Sequence, residues 1–170
     1  LFANGVPAMQ KIGFANFLTG TRWKPGNDLY GIFPMIIGSI YVTGGALLIG
    51  VPIGILMSIF MARFCPDHLH KILKPIVDLL AGIPSIVYGL FGMLFFCTAL
   101  HMGYSLISGA LTVAIMVLPT IMRTSEEALL AVPRSYREGS FGLGAGKLRT
   151  VFRAVLPSAV PGILSGVILS

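Results

Sequence analysis

Apolar and polar positions along this chain separate into long blocks. No charged residue occurs between Asp28 and Arg63, and none between Asp78 and Arg123. Uncharged apolar runs of about 18 residues or more predict membrane-spanning helices. The run Leu29–Ala62, about 34 residues, would extend about 51 Å as helix against a hydrocarbon core of about 30 Å. Two spans would need about 40 residues, so this run predicts one long helix that starts in the interface. Gly44, Gly45, Gly50 and Pro52 are places where it can bend or pack closely. The run Leu79–Met122, about 44 residues, suffices for two spans. They are placed at Leu79–Leu100 and Ser105–Met122, with His101, Met102 and Gly103 as the hairpin tip. A fourth span begins near Pro157 and is cut off at Ser170, and the chain starts at Leu1 rather than Met, so the sequence reads as a fragment. Residues 1–28 form a mixed, extracytoplasmic lead-in with turn signals at Thr19-Gly20 and Pro25-Gly26.

Composition strengthens this picture. Mean hydropathy is +0.89 and 11% of residues are charged, whereas soluble domains carry about a quarter. A chain this short cannot enclose such apolar runs within a soluble surface of its own. The expected fold class is an all-α polytopic membrane protein. The net charge of +6 does not point to nucleic acid, because the basic residues flank the spans, where Lys and Arg set orientation. Arg63, Lys71 and Lys74 lie in a loop, Arg63–Asp78, and Arg123, Arg134, Arg137, Lys147, Arg149 and Arg153 in the segment Arg123–Arg153; the hairpin tip has no charge. Both basic segments are therefore expected in the cytoplasm and the lead-in outside, although Lys11, Arg22 and Lys24 oppose this.

Little else in the chain suggests chemistry. Cys65 and Cys97 fall at the near end of one predicted span and the far end of the next, outside any metal-ligand spacing, and read as small apolar residues. His68 and His70 lack a third ligand and read as solvated, and His101 at the tip reads as incidental. No catalytic constellation stands out, no cofactor is implied, and the absence of GxxxxGK[ST] means that this chain is not itself an ATPase.

One segment is not needed merely to span a bilayer. Residues 134–157 are basic, glycine-punctuated and amphipathic, between two apolar stretches. Ser135–Phe141 suits a short helix along the membrane face, with Tyr136 and Phe141 as anchors. Gly142, Gly144 and Gly146 let the backbone turn sharply or approach a partner. Lys147–Val155 leads back to the membrane and Pro157 resets direction. The segment is similar to the EAA loop, the ATPase-coupling loop of ABC importer permeases. Glu138, Gly139 and Ser140 open it, Gly144 follows, and Leu156 and Pro157 close it. Each part also has a plain reading. Glu138 suits a solvated charge, the glycines suit ordinary loop positions, and Arg134, Arg149 and Arg153 suit topology determinants.

Most of the chain resembles permeases of the bacterial phosphate-specific ABC importer, the PstC type more closely than the PstA type. Four blocks carry this: FLTGTRW from Phe17, LAGIPSIVYG from Leu80, LPTIMRTSEEALLAV from Leu118 and LPSAVPGILSG from Leu156. The resemblance implies a type I, MetI-like helical bundle in the bacterial inner membrane, with residues 29–170 as part of the permease domain. It implies a second permease (PstA-like), cytoplasmic ATPase subunits (PstB-like), an external phosphate-binding protein (PstS-like) and inorganic phosphate as cargo. Two places suit an anion path. Gly82, Pro84 and Ser85 can break the second span and expose helix N–H groups beside a hydroxyl, or form a plain proline kink. Arg123 is expected to face both Glu126 and Glu127 at helical spacing, as a regulated anion attractor or as an interfacial ion-pair cluster. Rival readings are a permease for sulfate or molybdate, an ion-coupled secondary transporter, and a membrane-anchored signalling component. The second would need a buried coupling site in a span, and the third leaves the 134–157 segment unexplained.

Overall fold

The computed structural model describes residues 6, 7, 10, 12–24 and 29–170. The Pro25-Gly26 turn and Lys11 lie outside the described residues. Two units are distinguished, Leu1–Gly44 and Gly45–Ser170.

In the first unit, helix α1 (Phe14–Thr19) stops at Gly20, whose N–H donates to the Asn16 carbonyl at 2.8 Å. Two short antiparallel strands follow, β1 (Trp23–Lys24) and β2 (Leu29–Tyr30), with Trp23 opposite Tyr30. The backbones of Gly20 and Gly31 touch: a Cβ on Gly20 would lie 2.7 Å from the Gly31 Cα. The Thr19-Gly20 turn is thus a place of backbone contact where no side chain fits. Helix α2 (Phe33–Ile59) begins in this unit.

The second unit holds the rest of α2, a π-helical turn at Phe60–Phe64, and six further helices: α3 (Asp67–Gly82), α4 (Ser85–Gly92, extended by a π stretch to Ala99), α5 (Leu106–Ala131), α6 (Arg134–Gly142), α7 (Lys147–Thr150, extended by a π turn to Val155) and α8 (Leu156–Leu169). Among the described residues, three helical runs are long and apolar enough to cross a membrane: Phe33–Phe64, Leu106–Ala131 and Lys147–Leu169. Large apolar side chains such as Leu56 and Ile86 are exposed on the helix surfaces, as expected where lipid is the solvent and only backbone polarity must be satisfied internally.

Helix α5 is the hub, and small residues let its neighbours approach. A Cβ on Gly54 of α2 would come 2.7 Å from Ile121, and one on Gly162 of α8 would come 2.7 Å from Ala128. Gly166 lies against Thr124 and Gly92 of α4 against Thr112 in the same way. Lipid offers apolar side chains the same environment as another helix does, so close backbone contact and van der Waals fit hold such helices together. At one end, Ile59, Leu129, Val132, Val151, Val155, Ala159 and Ile163 form a continuous buried cluster. At the other, Ser105 and Ser108 cap α5 reciprocally, each backbone N–H donating to the other's hydroxyl at 3.2 Å.

The structure corrects three span boundaries. The expected second span at Leu79–Leu100 is interrupted: α3 and the Ser85–Ala99 helix meet at 91°. Pro84 disfavours helical geometry at Ile83, which is extended at φ −70°, ψ 130°. The segment Arg63–Asp78, read as a loop, largely belongs to α3, an amphipathic helix whose first turn carries Asp67 at its positive end. The third span runs to Ala131 rather than Met122, and the fourth starts at Lys147 rather than Pro157. The hairpin tip lies as expected at 101–103, with positive φ at His101 and Gly103. The first run is one long helix, and its Gly45 and Gly50 pack on α5. Cys65 and Cys97 are both free.

Candidate functional site

The 134–157 segment is a helix–turn–helix seated on the buried cluster. Val132 and Pro133 are extended, which ends α5 and starts α6 at Arg134. Helix α6 closes with a two-bond cap. The Gly144 N–H donates to the Phe141 carbonyl at 2.9 Å, and the Ala145 N–H to the Ser140 carbonyl at 3.1 Å. This pattern needs a left-handed residue at its centre, and Gly144 supplies it at φ +80°. The Ser140 and Thr150 hydroxyls are hydrogen-bonded at 3.0 Å and tie α6 to α7. Thr150, Val151 and Val155 are buried, and the two valines belong to the cluster that also holds Ala159 and Ile163 of α8. Leu156 and Pro157 form the first turn of α8, half-buried and exposed respectively.

The outer face of this segment is open. Glu138 and Gly139 are exposed, a Cβ on Gly139 would meet nothing within 4 Å, and Tyr136, Phe141 and Leu143 present apolar surface. An exposed carboxylate on a short helix that also exposes apolar side chains suits a protein contact better than a lipid one, because burying Glu138 in hydrocarbon would strip its hydration.

Ser85 is the first residue of α4, directly after the break. It lines a cleft of about 210 Å³ with Leu80, Tyr88, Thr120 and Ser170. The Tyr88 hydroxyl reaches back across the break and donates to the Leu80 carbonyl at 2.8 Å, which braces the right angle. Arg123 does not line that cleft.

The expected grouping of Arg123 with both Glu126 and Glu127 is corrected. Arg123 Nε lies 3.4 Å from Glu127 Oε1 and 3.8 Å from Asp78 Oδ1 of α3. Glu126 points the other way and is buried, accepting from His70 Nε2 at 2.8 Å. His70 is thus a partner of a buried carboxylate rather than a solvated side chain. Two contacts, His70–Glu126 and Asp78–Arg123, fasten α3 to α5, and sequence reading missed both acid–base partners on α3. Their signal was available in the apolar spacing of Leu69, Leu73, Ile76 and Leu80, which marks a helix across a stretch read as loop.

Comparison with known proteins bears directly on this arrangement. Residues 50–170 match the family described as "Binding-protein-dependent transport system inner membrane component". The chain belongs to this family. A relative from Bacillus subtilis, "Probable ABC transporter permease protein YqgH", is 38% identical over 161 residues, covering 90% of this chain and 52% of the relative. "Phosphate transport system permease protein PstC" of Mesorhizobium japonicum is 31% identical over 195 aligned positions, covering 100% of this chain and 59% of the relative. "Phosphate transport system permease protein PstA 1" of Mycobacterium tuberculosis is 34% identical over 140 residues, covering 82% and 46%. The chain spans about half the length of the curated relatives it matches. Among solved structures, the inward-facing MetNI methionine ABC transporter superposes with a TM-score of 0.65 at 23% identity, covering 82% of this chain and 65% of that one. The fold is therefore that of a MetI-like ABC permease, and the chain is a multi-pass membrane transport component rather than an enzyme.

Proposed function

We propose that the chain forms part of a permease subunit of an ATP-driven importer that carries inorganic phosphate across the bacterial inner membrane. The observation that carries the substrate is the match to relatives named phosphate transport system permease protein PstC, which covers 100% and 99% of this chain, lead-in included. In this reading residues 1–28 are extracytoplasmic, and residues 29–170 belong to the permease domain. A second permease completes the pathway, an external binding protein delivers phosphate, and ATPase subunits grip α6 from the cytoplasm.

In this reading each candidate residue has a task. Glu138 and Gly139 face the ATPase, Gly144 sets the turn, and Ser140 passes displacement to Thr150. Leu156 and Pro157 convert it into movement of α8, which lies against α5 through Gly162 and Gly166. A phosphate needs hydrogen-bond donors and positive potential in a low-dielectric path. Ser85 and Thr120 offer hydroxyls in the cleft at the break, and the start of α4 adds its positive end. Arg123 is held by Asp78 and Glu127 until α5 and α3 shift, and Glu126 keeps those helices in register through His70.

The test is labelled phosphate uptake in cells lacking their own high-affinity phosphate permease, with the full-length gene and its partner genes supplied. Uptake that excess sulfate does not suppress, and that falls with Arg123→Ala, is the expected result. Membrane expression of all partners with uptake of sulfate or molybdate instead would keep the permease and discard phosphate.

A further inference from the structure

Three cations converge on one cleft at the foot of the bundle. Arg63 enters from the π turn after α2, Arg137 from α6 and Lys147 from the first residue of α7, and Phe141, Thr150 and Val155 complete its walls. The cleft has a volume of about 250 Å³. Gathering like charges is unfavourable. Carboxylates usually offset such clusters. Here the ion pairs within 4 Å among the described residues engage His70 and Arg123, and none engages these three. Arg63 donates from one terminal nitrogen to the Leu129 carbonyl, while its Nε is buried with no hydrogen-bond partner among the described residues. Buried donors are nearly always satisfied, and one left over beside two more cations marks a missing acceptor.

We propose that this cleft binds a phosphate-type anion at the cytoplasmic face. An oxyanion with several acceptor oxygens can meet the Arg63 guanidinium, the Arg137 fork and the Lys147 ammonium together, which a single neutral acceptor cannot. The ligand chemistry has two sources, the headgroup of an anionic lipid and free inorganic phosphate. Either would bridge the end of α2 to α6 and α7, so occupancy would stiffen the mounting of the 134–157 segment. Free phosphate, as the imported product, would make that stiffness respond to cytoplasmic supply. The cytoplasmic placement rests on the proposed orientation; the cleft itself does not depend on what the permease carries.

Lys147 is exposed and gives a local readout. The full-length permease pair, with and without its ATPase subunits, is treated with an amine-acetylating reagent, and modification of Lys147 is followed by mass spectrometry against exposed Lys71. One arm compares millimolar inorganic phosphate with chloride of equal ionic strength in phosphatidylcholine nanodiscs. The other omits phosphate and replaces about one third of the lipid with phosphatidylglycerol. The expected result is about fivefold slower modification of Lys147 in one arm, as for about 80% occupancy, with Lys71 unchanged and protection lost in Arg137→Gln. Protection by phosphate assigns the free ion; protection by phosphatidylglycerol assigns the lipid. No protection in either arm, or protection that survives Arg137→Gln, overturns the proposal. So does protection seen only when the ATPases are bound, which would give the cleft to a partner's acidic side chain. Loss of phosphate transport would leave this measurement unaffected.

Discussion

Gly144 has φ +80° with open space around it: a Cβ there would meet nothing within 4 Å. A side chain at this position is therefore opposed by backbone geometry rather than by crowding. An L-residue in this region costs about 1–2 kcal/mol, more for a β-branched one and less for Asn. Gly144→Val should loosen the cap of α6 and uncouple transport while leaving membrane insertion and ATPase binding intact. Gly144→Asn should keep most of the uptake. Normal uptake in both variants would show that the turn is not part of coupling. The glycine was legible in the sequence because its role is local, set by residues within one loop. The Arg123–Glu127 pair was legible for the same reason, being one helical turn apart. The partner of Glu126 was not: His70 lies 56 residues away, and helical spacing carries no information about which face α3 turns towards α5. Truncating either member would leave the other's polar atoms short of a partner in a part-buried site, at about 1–3 kcal/mol.

The long membrane-crossing helices followed from apolar runs, but their ends did not, and α3 was missed altogether. The third span was ended at Met122 because Arg123, Glu126 and Glu127 follow. The helix continues to Ala131 because each charge has a place: Arg123 with Glu127 and Asp78, and Glu126 with His70. The second span failed in the opposite sense. Its uncharged run spans two elements, and Pro84 separates them. Spin labels at Lys71→Cys and Leu94→Cys, with the native cysteines replaced, measure the angle. A straight helix would place these positions about 35 Å apart along the backbone axis, whereas a right-angled bend at the break gives about 24 Å. The shorter distance is expected, and Pro84→Ala should shift part of the population outward, because Ile83 is then free to become helical. An unchanged distribution would move responsibility for the bend from Pro84 to the Tyr88–Leu80 brace and the fit against α5.

Orientation is a property of the whole molecule, and everything proposed about coupling depends on it. The described cations outside the lead-in lie on α3, on α5, in the 134–157 segment or at the adjoining end of α2, and the 101–103 tip carries no Lys or Arg. An excess of Lys and Arg stays in the cytoplasm, so the tip should face outward and α6 inward. Tyr104 is 92% exposed and Leu143 is 91% exposed, so a cysteine at either site should be limited by the membrane rather than by burial. In the full-length chain lacking its native cysteines, Tyr104→Cys should react with a membrane-impermeant maleimide in intact spheroplasts. Leu143→Cys should react only after permeabilisation. The reverse pattern would put the 134–157 segment outside, beyond reach of an ATPase, and would remove the cytoplasmic setting of the Arg63–Arg137–Lys147 cleft. With the lead-in outside, a hairpin 85–105 that does not cross would give the same reverse pattern, because α5 (Leu106–Ala131) would then cross from inside to outside. That outcome has a physical basis, since about 15 helical residues reach only about 22 Å of a core of about 30 Å. Labelling at the tip therefore decides whether α4 and its π stretch, with the turn beyond, complete a crossing or return within the bilayer.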